Sequence, residues 1–129
     1  LFIYLAYKTP KENSAIPTQK EDIQIEQTIE KISQNYPTLK VEGKEYFYEI
    51  SSPILVEDFL NRLKENSDFN YTYKTYVGMG KLVDSINGKK NKNGNYWIYY
   101  VNEVEAQVGI SNHLLKPGDV VSWKYEKGL

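Results

Sequence analysis

The sequence predicts an α+β domain in which one short amphipathic helix packs across a mixed β-sheet. Three observations predict it. Leu39 and Val41, then Tyr46, Tyr48 and Ile50, alternate with polar residues on either side of Glu42-Gly43-Lys44, the pattern of a β-hairpin closed by a glycine turn. Val56, Phe59, Leu60 and Leu63 fall at i, i+3, i+4 and i+7 and make a single apolar stripe. Further on, several segments rich in Tyr and Val alternate with the period of a strand and are separated by Gly and Pro. A stripe on one helix and a wet-dry alternation on several strands are satisfied together when two layers bury one face each.

Taken in order, the compact domain is expected over 38–129. After the hairpin, Pro53 precedes the helix, whose Glu57 and Asp58 near the start and Arg62 and Lys64 later complement the helix dipole. Asn66-Ser67-Asp68 ends it. Phe69, Tyr71, Tyr73, Thr75 and Val77 then form the inner set of a strand, and Gly78-Met79-Gly80 breaks it as a bend where side chains do not fit. Leu82, Val83 and Ile86 lead into Asn87-Gly88, a strong turn signal. Lys89 to Asn95 reads as a polar loop, with Lys89-Lys90-Asn91-Lys92 as a solvated hairpin tip. Tyr96 to Asn102 is the most aromatic strand, and Val104 to Lys116 is irregular. Pro117-Gly118 fits the centre of a type II turn before a last strand with Val121, Trp123 and Tyr125 on one face. Phe59, Leu60 and Leu63, with at least one of Trp97 and Trp123, are expected in the core.

Ahead of the domain the composition changes. Leu1 to Tyr7 is apolar and too short to span a bilayer. It reads as the trailing end of a signal peptide or anchor, or else as a β-strand; the first is favoured because Lys8 to Asp22, with Pro10, Pro17 and many charges, reads as a tether. Residues 1–22 are therefore assigned to anchor remnant and linker. Residues 23–37 are assigned to an amphipathic helix on Ile25, Ile29, Ile32 and Tyr36, ended before Pro37. Because the chain does not begin with Met, a fragment or processed form is expected.

Composition limits the function. The 129 residues have room for one domain plus a tail, and a 40% hydrophobic content suits a globular core. Sixteen basic against 17 acidic residues leave a net charge of -1, so nucleic acid is not an expected partner. Without cysteine there is no disulfide framework, thiolate metal site or Cys nucleophile. His113 is the only histidine; it stands two residues from Ser111 without a nearby carboxylate to orient it, so it is expected to be a surface-loop residue. No acidic loop has calcium-ligand spacing, and Gly78-Met79-Gly80 is not followed by the Lys and Ser/Thr of a phosphate loop. No catalytic residue, metal ligand or cofactor is assigned, and the chain is not expected to be an enzyme. Met79, lodged between two glycines, is expected to be available to a partner, and Tyr96, Trp97, Tyr99 and Tyr100 must divide between two sheet faces, one of them a candidate contact surface.

These motifs together resemble a known family. The apolar helix, the Tyr-rich strand, Gly78 and Gly80, Ser85 to Gly88, Tyr96 to Asn102, Val108-Gly109 and Lys116 to Tyr125 are similar in order and residue type to a bacterial surface domain of unknown function. That domain is similar in turn to the C-terminal domain of transcobalamin and intrinsic factor. The resemblance spans Gly43 to Lys127 and implies a ubiquitin-like β-grasp fold. In the vitamin carriers this domain lies on one face of cobalamin, so the resemblance also implies ligand capture by the loop side: Tyr76, Met79, Asn95, Tyr96, Trp97, Gln107, Val108 and Gly109. One departure is Glu103, where the family usually has Gly; a remodelled turn is expected there. The expected function is a non-catalytic, extracytoplasmic binding module that captures a small ligand such as a corrinoid. The alternative is a structural or protein-interaction module of a cell-surface protein. A monomer is expected, extracellular or at the cell surface, secreted or membrane-bound only through an N-terminal anchor, with cobalamin, another small ligand or a surface protein as partner.

Overall fold

The computed structural model describes residues 20–27 and 36–128. The chain forms two compact units, Leu1–Glu30 and Lys31–Leu129. In the first, residues 20–27 are helical. The rest of the expected tether, and residues 28–35 of the expected second helix, lie outside the described residues.

The second unit runs β1 (Thr38–Val41), β2 (Lys44–Phe47), β3 (Ile54–Leu55), α1 (Val56–Asn66), β4 (Tyr71–Tyr76), β5 (Gly80–Ile86), β6 (Lys89–Lys90), β7 (Asn95–Val101), β8 (Val104–Glu105), β9 (Leu114–Leu115) and β10 (Val120–Lys127). Its central sheet has the order β2-β1-β10-β7-β8. β1 and β10, the first and last strands, pair in parallel with Leu39 opposite Val121, and the other pairs in this sheet are antiparallel. This is the α+β β-grasp arrangement expected from the resemblance. β4, β5 and β6 form a separate three-stranded sheet, and β3 pairs with β9.

The helix buries its expected stripe: Val56, Phe59, Leu60 and Leu63 are all essentially inaccessible. They join Leu39, Val41, Val121, Ile110, Leu115 and both tryptophans in one cluster. Each such aliphatic or aromatic side chain contributes about 1.5–3 kcal/mol by leaving water. The helix has no side-chain N-cap. Its first N–H groups are satisfied instead by loop carbonyls, Val56 N–H by His113 at 2.9 Å and Glu57 N–H by Ile110 at 3.0 Å. At the other end Ser67 Oγ donates to the Leu63 carbonyl at 2.6 Å and accepts from Phe69 N–H, turning the chain out of the helix.

Four two-residue turns, at 42–43, 87–88, 93–94 and 102–103, have both residues at positive φ, the geometry that matches strand twist in a hairpin. The turn at Glu103 is not remodelled: it keeps this shape with Glu103 at φ 70. Pro117-Gly118 turns as expected, with Asp119 N–H on the Lys116 carbonyl at 3.0 Å. The buried Asp119 carboxylate then accepts from Asn102 Nδ2 at 2.9 Å and Lys116 N–H at 2.8 Å, tying two turns together.

Two expectations need correction. Of the inner set of the Tyr-rich strand only Phe69 and Tyr71 are buried; Tyr73, Thr75 and Val77 are exposed. Alternation requires a covering layer, and the outer half of this hairpin has none over that set. Residues 89–95 are not a plain loop: Lys89 and Lys90 pair with Ile86 and Ser85 as β6, and the turn itself is Asn93-Gly94. The three lysines of this run remain exposed, as expected, although Lys89 is engaged by Glu42 at 2.7 Å and lies over the Tyr125 ring.

Candidate functional site

The three-stranded sheet and the central sheet diverge between β5 and β7, and the divergence opens a cleft of about 750 Å³. One wall is the β4–β5 hairpin, carrying Tyr76 and Met79. A second is the turn between β6 and β7. The third is the segment 105–108, and Val83, Trp97, Tyr99 and Trp123 line the interior.

Local structure explains each wall. Gly78 and Gly80 adopt positive φ, and Met79 N–H closes the hairpin on the Tyr76 carbonyl at 3.2 Å. The bend thus holds Met79 outward, about half exposed, beside a half-exposed Tyr76. The segment after β8 is pinned to this hairpin: Gly109 N–H donates to the Met79 carbonyl at 3.2 Å and Ile110 N–H to the Lys81 carbonyl at 3.0 Å. Gly109 is required there, because a Cβ would lie 2.5 Å from the Lys81 oxygen and 2.6 Å from the Met79 oxygen. Tyr99 Oη donates to the Val108 carbonyl at 2.6 Å and holds the same segment from below.

Of the eight residues expected on the loop side, Tyr76, Met79, Tyr96, Trp97, Gln107 and Val108 line this one cleft. Asn95 and Gly109 do not. Asn95 closes the Asn93-Gly94 turn through two backbone bonds to Lys92, each 3.0 Å, and Gly109 is the close-packed hinge just described. Trp97 contributes only an interior wall: it is 5% exposed, and its indole N–H donates to the Lys89 carbonyl at 2.7 Å. Tyr96 is half exposed and stands beside Gly128, where any Cβ would strike its ring at 2.6 Å.

The cleft also holds charged groups that sequence reasoning did not single out. Four lysines line it, Lys74, Lys81, Lys90 and Lys92, against two carboxylates, Asp84 and Glu105. Asp84 arrives through a β-bulge. The β4–β5 register slips between Thr72 and Tyr73, which leaves Asp84 as the extra residue. Its carboxylate is largely buried with Lys74 and Lys90 each 3.8 Å away. Lys81 is engaged by Glu57 of the helix, which holds its ammonium above the usual lysine range, and it lies over the Tyr73 ring. A period-two strand reading places 83 and 85 on one face and 84 on the other; it gives no sign of a bulge. His113 packs edge-on against Tyr99 and lends its carbonyl to the helix start. Among the described residues no group of three or more His, Asp or Glu side chains is gathered to hold a metal.

Fold and cleft together define a small β-grasp domain with an open, lysine-rimmed cleft at the divergence of its sheets. The family profile of a domain of unknown function, DUF4430, matches residues 56–127, and the chain belongs to that family. No curated protein matches it. Among solved structures it is similar to a Ruminococcus gnavus ATCC 29149 protein for which metal binding has been proposed, with a TM-score of 0.54 at 11% identity over 74% of this chain and 99% of that one. It is also similar to haptocorrin in complex with Cbi, with a TM-score of 0.53 at 14% identity over 72% of this chain. The chain spans 26% of haptocorrin's length. At these identities the likeness is one of fold, and it is the transcobalamin-type fold that the motifs resembled.

Proposed function

We propose that this domain is a non-catalytic binding module that captures a small organic ligand in the cleft between β5 and β7. One observation carries the reading: Tyr76, Met79, Tyr96 and Val108, from three separate segments, expose their apolar surfaces around one cleft. Exposed aromatic and Met side chains gathered at a concavity are what a ligand or partner desolvates on binding. A corrinoid is the first candidate, since haptocorrin, which shares the fold, is known in complex with Cbi. The metal binding proposed for the Ruminococcus gnavus protein is not carried over, because the described residues gather no ligand set. The module is further proposed to work as a monomer outside the cell, attached through its N-terminal segment or secreted.

Titration with cobalamin and cobinamide tests the corrinoid. Binding shifts the visible corrin bands and raises the melting temperature, with about 2.7 kcal/mol of stabilisation at a hundredfold excess over Kd. Unchanged spectra and melts would sink it.

A second reading, docking of a surface protein, is favoured by a different observation. β4 is an outer strand of its sheet, and Thr72 to Tyr76 along it are exposed. Tyr73→Ala, retaining fold and lying outside the cleft, would then weaken a protein complex while leaving ligand titrations of the cleft untouched.

A further inference from the structure

We infer that Asn93-Gly94 is a site of self-modification: in the folded protein the Asn93 side chain is converted to Asp or isoaspartate, while the identical pair Asn87-Gly88 is protected. These are the two Asn-Gly pairs of the chain. Glycine hinders attack on a preceding carboxamide least, because it has no Cβ. The two pairs share their backbone: Asn87 and Asn93 have φ 47 and 55, and Gly88 and Gly94 have φ 86 and 83. Both asparagines are exposed, and a Cβ at either glycine would meet nothing within 4 Å. The side chains differ. Asn87 Oδ1 accepts Asn70 N–H at 2.9 Å, and Asn87 Nδ2 donates to Tyr46 Oη at 3.4 Å. The Asn93 carboxamide has no hydrogen-bond partner among the described residues. Two bonds must open before Cγ of Asn87 can turn to the following nitrogen; none must open at Asn93. One net hydrogen bond lowers an open population a few-fold, so two lower it by about tenfold or more.

The reaction needs no partner but water. The Gly94 nitrogen attacks Cγ of Asn93 and gives up its proton to water or hydroxide. The displaced amide nitrogen takes up a proton and leaves as ammonia, and a five-membered imide closes. Water then adds at Cγ, which restores an ordinary main chain with an Asp side chain. Alternatively it adds at the main-chain carbonyl carbon, which leaves isoaspartate with the chain routed through Cγ. No electron is transferred, and the sum is one water consumed and one ammonia released. Asn93 and Gly94 line the cleft, and the Gly94 carbonyl accepts Gly128 N–H at 2.8 Å. Modification lowers the net charge of -1 by one further unit and places a carboxylate at the cleft wall, next in sequence to Lys92. The isoaspartate form also lengthens the two-residue turn that leads into Tyr96. The cleft thus changes with the age of the molecule, whatever it holds.

Incubation of the folded protein at mildly alkaline pH, followed by trypsin digestion and tandem mass spectrometry, tests this. Cleavage after lysine puts Asn87 in peptide 82–89 and Asn93 in peptide 93–124, so the two sites are read separately. Asn93 gains one dalton about tenfold or more faster than Asn87. An isoaspartyl methyltransferase labels the aged protein, and Asn93→Gly, which the left-handed turn accepts, removes that label. In urea that unfolds the chain the two sites change at similar rates, because both carboxamides are then free. Equal rates in the folded protein, or a faster change at Asn87, would overturn the inference. Change at both sites in urea and at neither in the folded protein would show that the turn backbone blocks the attack, which overturns it as well.

Discussion

Asn91 holds Trp97 across the gap between the two sheets. Its side-chain carbonyl accepts the Trp97 backbone N–H at 2.8 Å, and its amide nitrogen donates to the Val83 carbonyl at 3.1 Å. One carboxamide, shaped like a peptide group, thus supplies a rung between β5 and β7 where their backbones have diverged. Asn91→Ala leaves both partners unpaired in a part-buried site and is expected to cost about 1–3 kcal/mol in urea denaturation. A loss below about 0.5 kcal/mol, the range of an ordinary surface substitution, would show that water replaces the rung.

Gly109→Ala places a methyl group against two fixed backbone oxygens, those of Met79 and Lys81. Overpacking of this kind costs about 1–3 kcal/mol. The segment carrying Gln107 and Val108 must also move, so the variant is expected to lose ligand binding at temperatures where it is still folded. Circular dichroism alongside a binding titration separates the two effects.

Glu103→Gly is expected to stabilise the domain. Three of the four positive-φ hairpin turns have Gly at the second position, and Glu103 occupies that place in the fourth. A left-handed conformation costs an ordinary L-residue about 1 kcal/mol relative to Gly. A higher urea midpoint with an unchanged slope is the expected result; a lower midpoint would mean that the Glu side chain compensates for the backbone.

Alkaline pH is expected to unfold the domain. Burial pushes the Tyr71 and Tyr99 hydroxyls well above their usual value of 10.0. The hydrogen bond to Glu126 pushes Tyr100 up to about 12, and Glu57 raises Lys81. In every case the folded state keeps its proton longer than the unfolded state. The stability tied to these groups is therefore intact below about pH 10 and is lost as pH rises through the folded values. Phenolate absorbance followed with far-ultraviolet dichroism checks it: part of the tyrosine titration must coincide with unfolding. Independent, complete ionisation of the tyrosines before any loss of structure would refute it.

The elements most legible in the sequence were those whose period comes with its own punctuation. Glu42-Gly43 closes a hairpin between alternating strands, and the Val56–Leu63 stripe sits between Pro53 and Ser67. Trp97 and Tyr99 were assignable to one face by parity alone. Parity failed at Tyr73 because burial depends on whether another layer reaches that part of the strand, which is not a local property. It failed at Asp84 because a bulge shifts the register without any sequence mark. Asn91 sat in a run of Lys, Asn and Gly whose composition reads as solvent-exposed turn; its role depends on two strands distant in sequence from each other. The rim of the cleft, Tyr76, Met79, Tyr96, Gln107 and Val108, was legible through the loops and glycines around it. Its lysines were not.

The parallel pairing of β1 with β10 carries a consequence for biosynthesis. Leu39 emerges from the ribosome early, but its neighbour Val121 is joined to the chain some eighty residues later, and β10 lies between β1 and β7 in the central sheet. Until β10 emerges, β1 and β2 form an isolated two-stranded hairpin, and the aromatic face of β7 has no main-chain partner on that side. Sheets closed by such distant pairings form slowly and late. A growing chain therefore acquires its protease resistance abruptly, when Val120–Lys127 clears the exit tunnel, and not in step with its length.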